Sequence, residues 1–141
     1  MAALGTRSLT LTIDGNEVTG EISKGVVTSG EAESDFVTFE EAAAGGKREY
    51  RLDIIAVQDA ASSSFWDLVW SSSGTTVPYV LRPYGNEVPS EAQPHYTGNA
   101  IVSEPDGDFL GGEADASASA KFVIETSWEL TGKPTKVTVA E

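Results

Sequence analysis

Residues 117–130 read SASAKFVIETSWEL, the longest run in the chain in which side chains alternate between two faces. One face of this run is mostly apolar and ends in Trp128 and Leu130, whereas the other face carries Glu125 and Glu129. Successive side chains of a strand point to opposite sides of a sheet. The run therefore predicts a strand with one buried face and one polar face.

Shorter alternating runs recur along the chain, separated by turn residues. Residues 8–13 form the first run, and Asp14-Gly15 favours a tight hairpin turn because both residues tolerate positive φ. A second strand over 17–23 is predicted to run back. Further strands are predicted over 48–58, 77–83 and 95–103. Many short strands with Gly and Pro turns predict a mainly β fold, an antiparallel β-sandwich or open barrel.

The strand over 77–83 contains Pro78 and Pro83, which predicts a position near a sheet edge. Such an edge is a place where a sheet can be extended by another subunit.

Residues 60–72 change to helical spacing. Phe65 and Leu68 stand three apart, Trp66 and Trp70 stand four apart, and a serine at 62 or 63 can cap the start. Two indoles carry too much apolar area to remain in water. This flanking helix is therefore predicted to pack on the sheet or against a neighbouring subunit.

The segment over 24–34 is rich in Gly, Ser and Glu and predicts a flexible loop or a weak, exposed hairpin. Thr38 and Glu41 then have the spacing of a capping box, which predicts one or two helical turns. No break in composition divides the chain, so residues 1–141 are predicted to form one domain. Residues 1–7 are predicted as an N-terminal arm, and residues 135–141 as a C-terminal tail that a short strand over 136–139 can replace.

The charge balance excludes several function classes. Nine basic against twenty-two acidic residues give a formal net charge of −13. Nucleic acids and anionic membrane surfaces repel such a chain. There is no cysteine, which excludes disulfides and thiolate metal sites. No apolar run approaches the roughly twenty residues of a membrane span. These features predict a chain made in a cytoplasm.

Residue constellations for chemistry are sparse. His95 is the only histidine and no Gly-x-Ser-x-Gly elbow exists, which favours an exposed or half-buried strand histidine over a catalytic triad. Glu104, Asp106 and Asp108 alternate on a turn, but without an EF-hand pattern a solvated acidic loop is favoured over a calcium site. The three tryptophans suggest sugar stacking, although their apolar neighbours favour core or interface positions. We predict no enzyme, no cofactor and no metal site.

The end of the chain, FVIETSWELTGKPT over residues 122–135, resembles the ending of siphophage major tail proteins, also called tail-tube proteins. The middle resembles them too, in the order of a strand over 50–53, a helix over 65–68 and a strand over 77–85. The likeness spans about residues 36 to 136. It is an overall pattern with one specific ending, not a catalytic signature.

The resemblance implies a structural virion protein. Hexameric rings of such subunits stack into a hollow tail tube, inner strands line the lumen, and DNA passes through it during ejection without specific binding. Tape-measure, tail-terminator and baseplate or tip proteins are the implied partners. The implied location is the virion tail, assembled in the host cytoplasm, with no membrane association.

Two sets of residues and one segment receive expected roles in such a tube. Glu125 and Glu129 are candidates for lumen-facing charge, with a solvated outer face as the alternative. The segment 24–34 is the candidate ring-stacking element. The helix residues with packing or interface roles are Phe65, Trp66, Leu68 and Trp70.

Two other functions share the predicted fold class. One is a monomeric β-sandwich binding module for carbohydrate or calcium, and the other is a capsid decoration protein. Assembly into rings or tubes distinguishes the tail-tube hypothesis from both.

Overall fold

The computed structural model describes residues 4–5, 7–31, 36–44 and 48–139. The strands in this part are β1 (Thr10–Ile13), β2 (Asn16–Glu17), β3 (Ile22–Glu31), β4 (Arg48–Val57), β5 (Thr76–Arg82), β6 (His95–Ile101), β7 (Val123–Leu130) and β8 (Thr135–Val137). The helices are α1 (Phe39–Ala43) and α2 (Phe65–Ser72), and a 3-10 turn covers Thr19–Glu21. No helix among the described residues is long and apolar enough to cross a membrane.

The strands pair antiparallel in the order β2-β1-β5-β6-β7-β4-β3. Strand β6 shares its second edge between β8 and the end of β7, and it meets β7 only through Ala100 with Leu130 and Ile101 with Glu129. This narrow link separates a wing of β1, β2, β5, β6 and β8 from a wing of β3, β4 and β7. The predicted mainly β, antiparallel fold with a flanking helix is confirmed, and the sheet is not closed into a barrel.

Both wings contribute apolar side chains to one hydrophobic core. Tyr79 comes from one wing, Ile54 and Trp128 come from the other, and all three are buried. Helix α2 covers this core, with the ring of Phe65 stacked on Trp128 at a centroid distance of 5.1 Å. The Trp128 indole Nε1 donates to the carbonyl oxygen of Ser103 at 3.1 Å, so the buried N–H is satisfied.

The first hairpin forms at the predicted turn, but its second strand is short. Asp14 and Gly15 both have positive φ, 51° and 81°, as the predicted turn requires. The strand predicted over 17–23 is wrong: β2 ends at Glu17 and the 3-10 turn follows. Val18 is buried in the core, and the Thr19 hydroxyl accepts from the amide of Leu11 at 3.1 Å. The Thr19 side chain thus accepts the hydrogen bond from Leu11 that a carbonyl of a longer second strand would have accepted.

The prediction of a flexible loop over 24–34 is wrong for the residues that the structure describes. Residues 24–31 belong to β3 and pair residue by residue with β4, after a register shift between Ile22 and Lys24. Ile22 and Val27 pack against the core, and this side-chain burial supports a strand despite the Gly and Ser content. Residues 32–34 lie outside the described part of the chain.

The predicted flanking helix is confirmed as α2, with a different cap. Ser64 is its N-cap, instead of the serines at 62 and 63, and its hydroxyl accepts from the amide of Asp67 at 3.1 Å. Thr38 caps α1 as predicted, accepting from the amide of Glu41 at 3.1 Å. Both helices therefore begin with the side-chain acceptor that a helix N-terminus requires.

Parts of both predicted terminal segments lie outside the described residues. The expected N-terminal arm has three described residues, 4, 5 and 7, and all are exposed. In the expected tail over 135–141, Thr135–Val137 forms β8 and pairs with β6, so the alternative of a last short strand is correct there.

The edge position predicted for residues 77–83 is wrong, because β5 lies between β1 and β6. The pairing of β1 with β5 ends at Ile13 opposite Tyr79. Pro78 lies beyond this last pair, so the N–H that proline lacks would have had no partner in β1. The carbonyl oxygen of Pro78 accepts from the amide of Asp14 at 2.8 Å.

Candidate functional site

The outer face of the β3–β4–β7 wing, which points away from the core, is rich in carboxylates. Glu125 and Glu129 are both exposed on this face of β7, on the side that the alternation predicts. Their cross-strand partners on β4 are Ile55 and Arg51. By strand alternation, the charged residues of this face are Lys24, Glu49, Arg51, Asp53, Glu125 and Glu129. Four carboxylates against two cations leave the face with a net charge of −2.

The central cation of this face is held in place by hydrogen bonds. The Arg51 guanidinium donates to the hydroxyl of Ser127 at 2.7 Å and to its carbonyl oxygen at 2.9 Å. It also pairs with the Glu49 carboxylate at 3.0 Å. Because this arginine is engaged within the sheet, its charge is partly compensated, and Asp53, Glu125 and Glu129 set the sign of the surrounding face. No sequence signal pointed to this arrangement, which joins strands that are distant along the chain.

The acidic turn over 104–108 lies beside this face. Its start is bound to β7, since the Ser103 hydroxyl donates to the Ser127 carbonyl at 3.4 Å and the Thr126 hydroxyl donates to the Ser103 carbonyl at 3.2 Å. Residues of the turn line one broad, open depression together with Asp53 and Glu125. Within the described part of the chain, no three His, Asp or Glu residues are grouped to hold a metal ion. The turn adds negative charge to the depression.

The four helix residues singled out from the sequence do not share one environment. Phe65 and Trp66 are buried, and Leu68 packs partly buried against the core. Trp70, however, is 51% exposed. The i, i+4 spacing of the two tryptophans identified the helix correctly, but the indole of Trp70 lies at the surface.

Trp70 and the partly buried Phe109 form a surface cluster that we call the aromatic platform. The ring of Trp70 lies 5.0 Å from Phe109 and 5.4 Å from Trp66, and Leu110 is 69% exposed. The Trp66 Nε1 donates to the carbonyl of Phe109 at 2.9 Å, which joins this loop to the helix. The platform is therefore a rigid apolar surface supported by the core.

The loop that carries the platform is also fixed at its next residue. The side-chain amide of Gln58 donates to the carbonyl of Gly111 at 3.0 Å, and its oxygen accepts from the amide of Gly111 at 2.7 Å. This reciprocal pair imitates a backbone pairing and ties the loop to the end of β4.

A second exposed apolar cluster lies at α1. Phe39 is 96% exposed and Val37 is 53% exposed, and α1 has no buried residue. We call Val37 and Phe39 the apolar knob; Phe36, beside it, is also exposed. The sequence around Phe39 predicted only a capping box, with Thr38 and Glu41. The available signal was a group of large apolar residues at a helix too short to bury them.

His95 lies in β6, as predicted, but the expected exposed or half-buried position is wrong. It is buried, and its ring Nε2 donates to the carbonyl oxygen of Asn86 at 2.9 Å. The amide of Asn86 donates in turn to the carbonyl of Gln93 at 3.0 Å. These contacts give His95 a role in holding the connection between β5 and β6.

No protein-family model matches this chain, and no curated protein matches its sequence.

Proposed function

We propose that this chain is a structural subunit that polymerises into rings and then into the tail tube of a siphophage. The observation that carries the proposal is the open edge of β3. This strand has ten residues, contains no proline and, among the strands that the structure describes, pairs only with β4. The N–H and C=O groups on the free edge of such a strand can pair with a strand of another chain. A second copy that pairs a different edge of its sheet with this one would continue the sheet head to tail, and closure of that contact would give a ring of joined sheets.

The charge of the adjoining face is consistent with a lumen. The outer face of the β3–β4–β7 wing ends at the β3 edge, so copies joined through β3 would present this face side by side. Glu125 and Glu129 would then line one surface repeatedly. Phosphates gain no counterion release at a negative wall and are repelled by it. The field decays over about 8 Å at physiological salt, which suffices to keep DNA away from the wall.

The remaining parts of the proposal come from the resemblance at residues 122–135. They are hexameric symmetry, location in the virion tail, and contact with tape-measure, tail-terminator and baseplate or tip proteins. A capsid decoration protein has the same fold class and would form isolated trimers or monomers instead of tubes.

One observation favours a second candidate, a carbohydrate-binding module. The half-exposed indole of Trp70, stacked near Phe109, offers a flat aromatic surface on which a sugar ring can stack. Glycan titration followed by tryptophan fluorescence tests it. Saturable binding by a monomer that never assembles would support the module and count against the tube.

The first experiment is negative-stain electron microscopy with light scattering across protein concentration. We expect rings or hollow tubes of uniform diameter. The β3 edge is tested by two proline variants at adjacent positions, Thr28→Pro and Ser29→Pro. Neighbouring residues of an antiparallel edge strand point their N–H groups alternately inward and outward. One variant therefore breaks a bond to β4, and the other removes only an N–H on the open edge.

Thermal unfolding distinguishes the two variants. The variant whose replaced residue points its N–H toward β4 loses a hydrogen bond and therefore has the lower Tm. The other variant is expected to fold with a near-native Tm and to lose assembly. Normal rings from that stable variant would show that the β3 edge is not the joint.

The charge hypothesis has its own test in a phage carrying Glu125→Lys and Glu129→Lys. Tubes should form, and DNA ejection should fall because the wall then attracts phosphate. The matched control is Glu87→Lys with Glu91→Lys, an equal charge change at exposed positions in the connection between β5 and β6. Equal ejection by both double variants would remove Glu125 and Glu129 from the lumen.

A further inference from the structure

The sheet has a second open edge, along the first part of β7. This strand meets β6 only at Glu129 and Leu130, so residues 123–127 have β4 on one side and no described strand on the other. Alternate residues of an antiparallel strand bond to the same neighbour. The amide of Gln58 donates to the carbonyl of Phe122 at 2.9 Å, so the even-numbered residues of β7 bond to β4. The odd-numbered residues point their main-chain groups away from β4, toward the open edge.

Side chains occupy part of this edge. The Ser127 carbonyl accepts from the Arg51 guanidinium at 2.9 Å, and the Val123 carbonyl accepts from the side-chain amide of Gln58 at 3.2 Å. The amides of Val123, Glu125 and Ser127 have no hydrogen-bond partner among the described residues, and neither does the carbonyl of Glu125. Three N–H groups and one carbonyl oxygen can therefore pair with an added strand.

The acidic turn over 104–108 forms the opposite wall of the depression that this edge lines. The carboxylates that line the depression are Asp53, Glu104, Asp106, Asp108 and Glu125. None of these carboxylates forms an ion pair within the described part of the chain. The lining cations are Lys24 and Arg51, and Arg51 already pairs with Glu49. Five carboxylates against two cations leave the depression with a net charge of −3.

We infer that the depression binds an extended, basic segment of another protein, which adds to the open edge of β7 as a further strand. We call the β7 edge and the facing acidic turn the strand slot. In strand addition, main-chain hydrogen bonds provide affinity and alternate side chains provide specificity. Side chains on one face of the added strand lie between Glu125 and the turn, where complementary charge favours lysine or arginine.

The charge of the chain argues against a second copy as the occupant. Strand β3, the other open edge, offers one cation at Lys24 and one acid at Glu31. The whole chain has a formal net charge of −13, so a second copy brings more negative charge to a negative slot, whereas a basic segment neutralises it. The inference goes beyond the proposed tube, because every residue of the slot belongs to one copy.

A labelled peptide tests the strand slot on the whole protein, at a concentration where light scattering reports monomers. The probe has blocked ends and about seven residues that alternate lysine with threonine, and fluorescence anisotropy measures its binding. We expect saturable binding that weakens at least about tenfold between about 50 mM and about 500 mM salt. The same peptide with glutamate in place of lysine should not bind, and equal binding by it would overturn the charge assignment.

An N-methylated peptide separates strand addition from charge attraction alone. The lysine–threonine peptide methylated at every internal amide keeps all its charge but has no N–H donor and cannot approach a strand edge closely. It should bind at least about tenfold more weakly than the parent peptide. Equal affinity of the two peptides would overturn strand addition.

Protein variants test the two walls of the slot separately. Asp106→Asn with Asp108→Asn removes charge from the turn and should weaken peptide binding about tenfold. Glu87→Gln with Glu91→Gln, an equal charge change in the connection between β5 and β6, should bind as the wild type does. Val123→Pro removes one N–H of the slot and no charge, at the first residue of β7, where proline is tolerated. It should weaken binding about fivefold, with Val123→Thr as the control that keeps the N–H.

Amide hydrogen exchange locates the bound peptide without any substitution. Peptide binding should slow exchange at Val123, Glu125 and Ser127 at least about tenfold and leave the connection between β5 and β6 unchanged. Binding without protection of these three amides would overturn the strand slot, and so would turn variants that bind as their control does. Tubes without peptide binding would overturn this inference and leave the tail tube intact. Peptide binding by a protein that never assembles would count against the tail tube and leave the strand slot intact.

Discussion

Replacing Tyr79 by phenylalanine is expected to stabilise the protein. Tyr79 lies in β5 and is buried, and its hydroxyl has no hydrogen-bond partner among the described residues. A buried polar group without a partner costs about 1–3 kcal/mol, because it gives up hydration and gains nothing in return. Tyr79→Phe removes that group and keeps the ring in the core. The free energy of unfolding should therefore rise by about 1–3 kcal/mol at neutral pH.

The same substitution should change how stability depends on pH. Burial raises the pKa of the Tyr79 hydroxyl above its ordinary value of 10.0. The wild type therefore has its full folding stability below about pH 10. It loses stability as the pH rises through the folded-state pKa, because the unfolded tyrosine ionises first. Phenylalanine does not ionise. The stability advantage of Tyr79→Phe over the wild type should therefore widen above about pH 10.

Urea unfolding followed by tryptophan fluorescence measures both effects, at a protein concentration where light scattering reports monomers. For a domain of this size, each kcal/mol corresponds to about 3 °C in Tm, which provides an independent check. The matched control is Tyr96→Phe, at a partly exposed tyrosine on the neighbouring strand. A loss of stability in Tyr79→Phe, or an advantage that stays constant from about pH 7 to about pH 10.5, would refute the reasoning.

Three further substitutions have expected outcomes in the same unfolding assay. Gly98→Ala places a Cβ 2.9 Å from the Tyr79 hydroxyl oxygen and should cost about 1–3 kcal/mol, less in the Tyr79→Phe background; equal costs in both backgrounds would exclude the clash. Ser64→Ala removes the cap of α2 and should cost about 1 kcal/mol, with Ser64→Thr as the control that keeps the hydroxyl. Trp128→Phe leaves a cavity and removes the donor to Ser103, so a loss of about 2–4 kcal/mol is expected, and a loss below about 1 kcal/mol would contradict this central position.

The local elements follow closely from the sequence. Alternation predicts β4 and β7 together with their buried faces, the Asp14-Gly15 pair predicts the first turn, and helical spacing predicts α2. The strand predicted over 117–130 is wrong in its first part, because β7 begins at Val123 and Phe122 is 46% exposed. These signals are local, because each depends on the period of a single element or on the φ preferences of two residues. The sides on which Glu125 and Glu129 lie follow from the same period.

The wrong predictions concern segments whose structure depends on distant partners. Residues 24–31 are a strand because β4 offers a pairing partner and the core accepts Val27, although their Gly and Ser content favours a loop. Residues 77–83 can lie inside the sheet despite Pro78, because the pairing of β1 with β5 ends at Tyr79. No residue of β1 therefore needs a hydrogen bond from position 78. Neither reason is present in the segment itself, and propensity yields to tertiary context in both.

The sequence by itself determined the mainly β class, the acidic character and the polar face of β7, because composition and side-chain period are properties of the chain alone. Only the tertiary structure decided that β3 lies at one edge of the sheet and that the fixed Arg51 lies among the acids of the outer face. It also placed Trp70 and Phe39 at the surface. Strand order and side-chain exposure depend on contacts between segments that are far apart in the sequence, and the local side-chain pattern of one segment does not specify those contacts.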